Sequence, residues 1–93
     1  MDFKQIVKDV LLTESQELEK AAATISFDIE KAIDLIINSK GKLIVTGVGK
    51  SGLVGTKIAA TLASTGTSSF FLHPTEAMHG DLGMIGKEDI VLA

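Results

Sequence analysis

Cysteine is absent from the sequence, which excludes disulfides and thiolate metal sites as sources of stability. A chain of 93 residues forms one domain at most. At that size it buries only roughly 60 to 65% of its unfolded-chain surface, so further stability must come from packing or partners. The missing cysteine also fits a reducing compartment. Proline is almost absent. The single example, Pro74, follows a predicted strand and reads as a loop marker rather than a domain boundary. No internal repeat, low-complexity tract or linker interrupts the chain. Long hydrophobic runs are lacking too: the longest span a handful of residues, where a bilayer span needs about 20. The acidic, helical start does not resemble a signal peptide, so the expectation is a cytoplasmic protein with no membrane partner. Charge of one sign does not accumulate either. Lys and Arg number 9 against 12 Asp and Glu, for a net charge of −3, and the two signs interleave. No basic stripe exists to track a nucleic acid backbone.

What is present is periodicity. Phe3, Ile6, Val7, Val10, Leu11 and Leu18 recur at helical spacing from Asp2, a capping residue, to about Ala23. Such an amphipathic helix serves equally well against its own domain or against another subunit. A second helix is predicted from near Ser26, with Ile29, Ala32, Ile33, Ile36 and Ile37 on one face. It ends between Asn38 and Gly41, where Gly41 is assigned the left-handed position after the helix. The period then changes. Leu43 to Thr46 is a short, β-branched run between Gly41 and Gly47, as expected of a strand buried on both faces of a parallel sheet. From Ser51, Val54, Ile58, Leu62 and Thr65 mark a crossover helix that stops at Gly66. Ser69 to Leu72 and Asp89 to Leu92 read as second and third strands. Helices alternating with short apolar strands define an α/β fold with a doubly wound parallel sheet. A domain of that kind normally runs to about 100 to 150 residues, so the sheet is expected to be incomplete at Ala93.

Two segments could carry chemistry. The first, Gly47-Val48-Gly49-Lys50-Ser51-Gly52, lies where the first strand hands over to a helix, which is where open α/β sheets place ligands. Glycines such as Gly49 let the backbone approach an anion. The free amides of the helix start favour phosphate, with the Ser51 hydroxyl and Lys50 ammonium available beside them. The Gly-x-Gly-x-x-Gly pattern also admits a dinucleotide reading, but His73-Pro74 stands where the ribose-binding carboxylate belongs. A nucleotide P-loop needs glycine at position 44, which is Ile44. A plainly structural role, a tight turn with Lys50 solvated, is the remaining alternative. The second segment, His73 to Gly83, leaves the sheet on the same side, so the two are expected to converge on one crevice. His79 is the preferred proton-transfer residue, since imidazole is suited to moving protons near neutral pH. The competing reading has it holding the Gly80 to Gly83 turn through a backbone carbonyl. A metal site from His73, His79 and Asp81 is a third reading, on unspecific spacing.

GVGKSG (Gly47–Gly52), followed by AATLASTGTSSFFLHPTEAMHGDLGM (Ala59–Met84), resembles the sugar isomerase (SIS) domain of the D-arabinose 5-phosphate isomerases. The match runs from about Gly41 to Ala93, and its most specific part is the LHPxEAxHGDLG stretch. The resemblance implies a three-layer SIS-type α/β/α domain. Residues 1–40 supply its amino-terminal helices and residues 41–93 the first half of its core, with no CBS module. It implies an aldose-ketose isomerase acting on D-ribulose 5-phosphate and D-arabinose 5-phosphate through a cis-enediol, toward Kdo for lipopolysaccharide or capsule, and a homotetramer. Carried over by position, the family's catalytic lysine falls on Lys50, and its substrate contacts fall on Gly66, Thr67, His73 and His79. Gly49 and Ser51 join them as loop contacts. No cofactor is implied as required, and zinc at the His73 position is implied only as an inhibitory or incidental ion. The family's Ser-rich phosphate loop, catalytic glutamates and a further histidine would lie beyond Ala93, so this stretch alone is expected to be inactive. The alternatives are a sugar-phosphate-sensing SIS module and an isomerase of another phosphosugar.

Overall fold

The computed structural model describes residues 1–93, apart from the side chain of Asp81. The chain divides into two compact units, Met1–Ile33 and Asp34–Ala93. The first unit is dominated by α1, Phe3–Thr24, a helix of 22 residues. Asp2 caps it by accepting a hydrogen bond from the Gln5 amide at 3.1 Å, which satisfies one of the amides that the first turn leaves free. No α1 residue is buried. The helix α2, Asp28–Ile37, starts where the Ser26 hydroxyl accepts from the Asp28 amide at 3.3 Å. Asp28 and Glu30 in its first turn suit the positive end of the helix dipole. No helix among the described residues is long and apolar enough to cross a membrane.

In the second unit, β1 (Leu43–Val45), β2 (Ser69–Phe71) and β3 (Ile90–Leu92) form a parallel sheet in the order β2-β1-β3. Ile44 lies level with Phe70 on one side and with Val91 on the other. The central strand is the buried one, as its unbroken apolar run predicts: Leu43, Ile44 and Val45 are at most 3% exposed. After β1 the chain forms α3, Gly49–Ser64, and crosses to β2, then returns past β1 to β3. That order makes the carboxyl end of β1 a switch point.

The helix α3 meets the sheet through small residues rather than through the predicted stripe. Gly52, Gly55 and Ala59 are its buried positions, whereas Val54 is 59% and Ile58 39% exposed. A Cβ on Gly55 would stand 3.0 Å from Val45 Cγ1 and 3.3 Å from Phe71, so the helix lies close because it has no side chain there. Of the predicted stripe, Leu62 does join the core of Leu43, Val45 and Ala59, alongside Ile36, Phe71 and Ile90. The predicted stop at Gly66 is present. Gly66 has φ +106°, and the Thr67 amide reaches back to the Leu62 carbonyl at 2.9 Å, closing the helix end as a left-handed glycine allows.

Two expectations are corrected. Gly41 does not take the left-handed conformation; the positive-φ glycines are Gly49, Gly66 and Gly80. Glycine is needed at 41 because a Cβ would collide with the Glu88 carbonyl. Pro74 does not mark a loop. It opens α4, Pro74–Met78, as its first helical residue, where its fixed φ and missing N–H cost nothing. A 3-10 turn over Asp81–Met84 follows, entered through Gly80 at φ 114°.

Candidate functional site

The carboxyl end of β1 leads through Thr46, whose amide donates to Leu92 at 2.9 Å, into a turn built on close backbone approach. A Cβ on Gly52 would lie 2.8 Å from the Gly47 carbonyl oxygen, and one on Gly47 3.3 Å from the Gly52 nitrogen. Gly49 carries φ +59°, a conformation that glycine adopts without strain. Val48 precedes α3 in an extended conformation and offers no side-chain cap. The start of α3 therefore presents backbone donors and the positive end of its dipole without an internal partner from the capping residue.

Beside this turn lies a cavity of 540 Å³ lined by Gly47, Gly49, Lys50, Gly52, Leu53, Thr56, Phe71 and His73. The two predicted segments thus do meet, through Lys50 and His73. Phe71 and His73 are two apart at the end of β2 and so project to one side. Their rings pack edge to face at 6.5 Å and 77°. His73 is also the N-cap of α4: its Nδ1 accepts from the Thr75 amide at 3.1 Å.

Not every candidate reaches this cavity. Ser51 stands in the first turn of α3, exposed and outside the cavity lining. His79 is the C-cap of α4, where its backbone amide donates to the Thr75 and Glu76 carbonyls at 3.2 and 3.1 Å. Its side chain is exposed and does not line the Lys50 cavity. Among the described residues no side-chain hydrogen bond from His79 holds the following turn; Gly83 closes it instead, through its amide to Gly80 at 3.1 Å. Gly66 and Thr67 belong to the opposite end of the sheet. They line a separate cavity of 390 Å³ with Ser39, Lys42, Leu43 and Ile90, so this chain does not bring them to Lys50.

Sequence reasoning missed Leu53, Thr56 and Phe71. The first two follow Gly49 at i+4 and i+7 and so share its helix face, a signal that was legible. Among the described residues no three His, Asp or Glu side chains could hold a metal ion, and the Asp81 side chain lies outside those described.

At the amino end of the sheet, Asp89 accepts from the Lys42 amide and from the Gly86 amide, each at 2.7 Å. These two bonds, that to Lys42 first, hold its carboxyl below its ordinary value of 3.8. Ser39 completes the latch, donating to the Glu88 carbonyl at 3.0 Å and accepting from the Gly41 amide at 3.1 Å.

A parallel sheet with a glycine-rich turn and open helix start at its switch point is the frame of an anion-binding α/β domain, and residues 35–93 match the SIS domain family. The chain belongs to that family. It is 51% identical over 92 residues to the probable arabinose 5-phosphate isomerase of Haemophilus influenzae, covering 99% of this chain and 27% of that protein. It is 52% identical over 93 residues to the arabinose 5-phosphate isomerase KdsD of Pseudomonas aeruginosa, covering 100% of this chain and 28% of that protein. Among solved structures it resembles a protein of Escherichia coli CFT073 in complex with arabinose 5-phosphate. There the TM-score is 0.86 at 39% identity, covering 98% of this chain and 50% of that one. The chain thus spans little more than a quarter of the length of these curated relatives.

Proposed function

We propose that this chain supplies one wall of the active site of an aldose-ketose isomerase that interconverts D-ribulose 5-phosphate and D-arabinose 5-phosphate. The observation that carries the reading is the shared cavity of Lys50 and His73 beside the uncapped start of α3. It occurs in a chain about half identical to arabinose 5-phosphate isomerases.

In this reading the sugar phosphate lies along the turn from Gly47 to Gly52. Backbone amides there meet negatively charged oxygens without having to reorganise, the arrangement that favours anions at helix starts. A proton leaves the carbon next to the carbonyl, the electron pair moves to form a cis-enediol, and the proton returns to the neighbouring carbon. Negative charge develops on the carbonyl oxygen, and the Lys50 ammonium stabilises it. The described cavity lining contains no carboxylate, so the base is assigned to a group supplied from outside it. Ser51 and His79, together with Gly66 and Thr67 at the other end of the sheet, contribute only if a further segment or a second copy completes the site. The reading includes a homo-oligomer, a cytoplasmic location, no required cofactor, and a product that feeds Kdo synthesis.

The test is a discontinuous assay of D-arabinose 5-phosphate formed from D-ribulose 5-phosphate by the gene product. Turnover supports the reading. A folded protein that binds the sugar phosphate without turning it over would be a sensor module, and preference for a hexose phosphate would make it an isomerase of another sugar.

A further inference from the structure

Leu53 stands 74% exposed on α3, so packing against the sheet does not account for its apolar side chain. A single exposed leucine is ordinary on a protein surface, but this one lines the cavity that also holds Lys50 and His73. Lys50, Leu53 and Thr56 follow one another at three-residue spacing, which sets them at intervals of about 4.5 Å along the helix axis. The wall that α3 gives the cavity therefore runs from backbone amides and an ammonium at its start, through Leu53, to Thr56.

The polar capacity of that wall falls along its length. At the start, the backbone donors have no capping side chain, and the Lys50 ammonium adds donors of its own. Leu53 offers none. Thr56 has a single hydroxyl proton, which it donates to the Gly52 carbonyl at 2.8 Å, so its oxygen can accept but not donate. Phe71 adds a second apolar surface to the lining. Volume does not choose between ligands here: 540 Å³ lies within the ordinary range of small-molecule sites, roughly 300 to 1,000 Å³, and does not tell a five-carbon from a six-carbon sugar phosphate. Hydrogen bonding does. A hydroxyl brought against Leu53 gives up water without gaining a partner, which is the unfavourable way to bury a polar group. We propose that Leu53 is a specificity-determining residue: it takes the C–H surface of a short sugar phosphate held at the helix start and disfavours a longer one that carries a further hydroxyl-bearing carbon. That the ligand is a sugar phosphate rests on the isomerase reading above; the place of Leu53 on the cavity wall does not.

The test sets D-arabinose 5-phosphate, as substrate of the gene product, against D-glucose 6-phosphate as a competitor of its turnover. In the parent the inhibition constant of the hexose phosphate should stand about ten- to a hundredfold above the KM of the pentose phosphate, the range over which an apolar wall rejects an added hydroxyl. Leu53→Gln keeps a long, helix-compatible side chain and supplies both a donor and an acceptor. It should lower the hexose phosphate constant about tenfold, the scale of one hydrogen bond, without an equal fall in the pentose phosphate KM. Leu53→Ala removes the bulk and supplies no partner, so it should leave the hexose phosphate constant within about threefold of the parent's, short of the shift from one hydrogen bond. Both variants change an exposed position, and their urea midpoints should match the parent's. An unchanged constant in Leu53→Gln would overturn the proposal. So would equal tightening by Leu53→Ala, because room alone would then limit the ligand. A parent inactive on the pentose phosphate would sink the isomerase reading and this inference together, whereas an active parent with an insensitive Leu53 would sink only the inference.

Discussion

Gly52 sits against Gly47 so closely that a Cβ on Gly52 would lie 2.8 Å from the Gly47 carbonyl oxygen. The turn that carries Lys50 therefore depends on two glycines that touch each other rather than on any capping side chain. Gly52→Ala should push the start of α3 away from β1. Forcing a methyl into such a contact costs about 1 to 3 kcal/mol, readable as a lower midpoint in urea unfolding. Because Lys50 moves with the turn, sugar-phosphate binding should weaken as well. Gly49 makes the useful control: a Cβ there meets nothing within 4 Å but would sit at φ +59°. Gly49→Ala should thus be destabilising through backbone strain alone.

Ile44 is the central residue of the central strand and is 0% exposed, paired in register with Phe70 and Val91. Ile44→Val should cost about 0.5 to 1.5 kcal/mol and Ile44→Ala about 2 to 5 kcal/mol, measured by denaturant unfolding at constant slope. A smaller loss for Ile44→Ala than for Ile44→Val would mean that β1 is not the buried centre of the sheet.

The strands and helices were legible because their signals are local. Leu43 to Val45 is an unbroken apolar run, and Gly66 ends α3 as its position suggests. The sheet-facing side of α3 was not legible from hydrophobicity, because closeness there is achieved by Gly52, Gly55 and Ala59, which contribute little apolar surface. The role of Gly41 was misassigned for a similar reason: the obstacle is the Glu88 carbonyl, 47 residues along the chain. Lys50 and His73 line one cavity because each follows the carboxyl end of a strand, and those ends lie side by side in a parallel sheet. His79 was grouped with them by sequence proximity, yet the five residues of α4 carry it to the far end of that helix. Pro74 was not legible as a helix start, because the residue before it is histidine rather than one of the usual capping residues.

The Asp89 latch predicts a pH dependence. Its carboxyl is held below 3.8 by the Lys42 amide and then the Gly86 amide, so the folded state binds its proton less readily than the unfolded chain. The stabilisation is fully present above the unfolded value and is lost as pH falls through the lower folded value. Urea midpoints measured from pH 6 down to pH 3 should therefore fall more steeply for the parent than for Asp89→Ala, with the difference emerging below about pH 4. Parallel slopes would mean that the two amide bonds do not discriminate between the charged and neutral carboxyl.

Lys50 is exposed on the first turn of α3, and no salt bridge to it occurs among the described residues. Its replacement should leave folding almost untouched, since surface substitutions away from special features usually stay within about 0.5 kcal/mol. Its proposed role is to stabilise charge that develops only as the enediolate forms. A preorganised donor of that kind contributes about 2.7 to 4 kcal/mol, so Lys50→Ala in the gene product should lower kcat by about two to three orders of magnitude with little change in KM. A uniform rise in KM at constant kcat would instead make Lys50 a ground-state phosphate contact. In that case charge stabilisation would have to come from the open backbone amides of α3 and from His73, and His73→Asn would then show the larger loss of kcat.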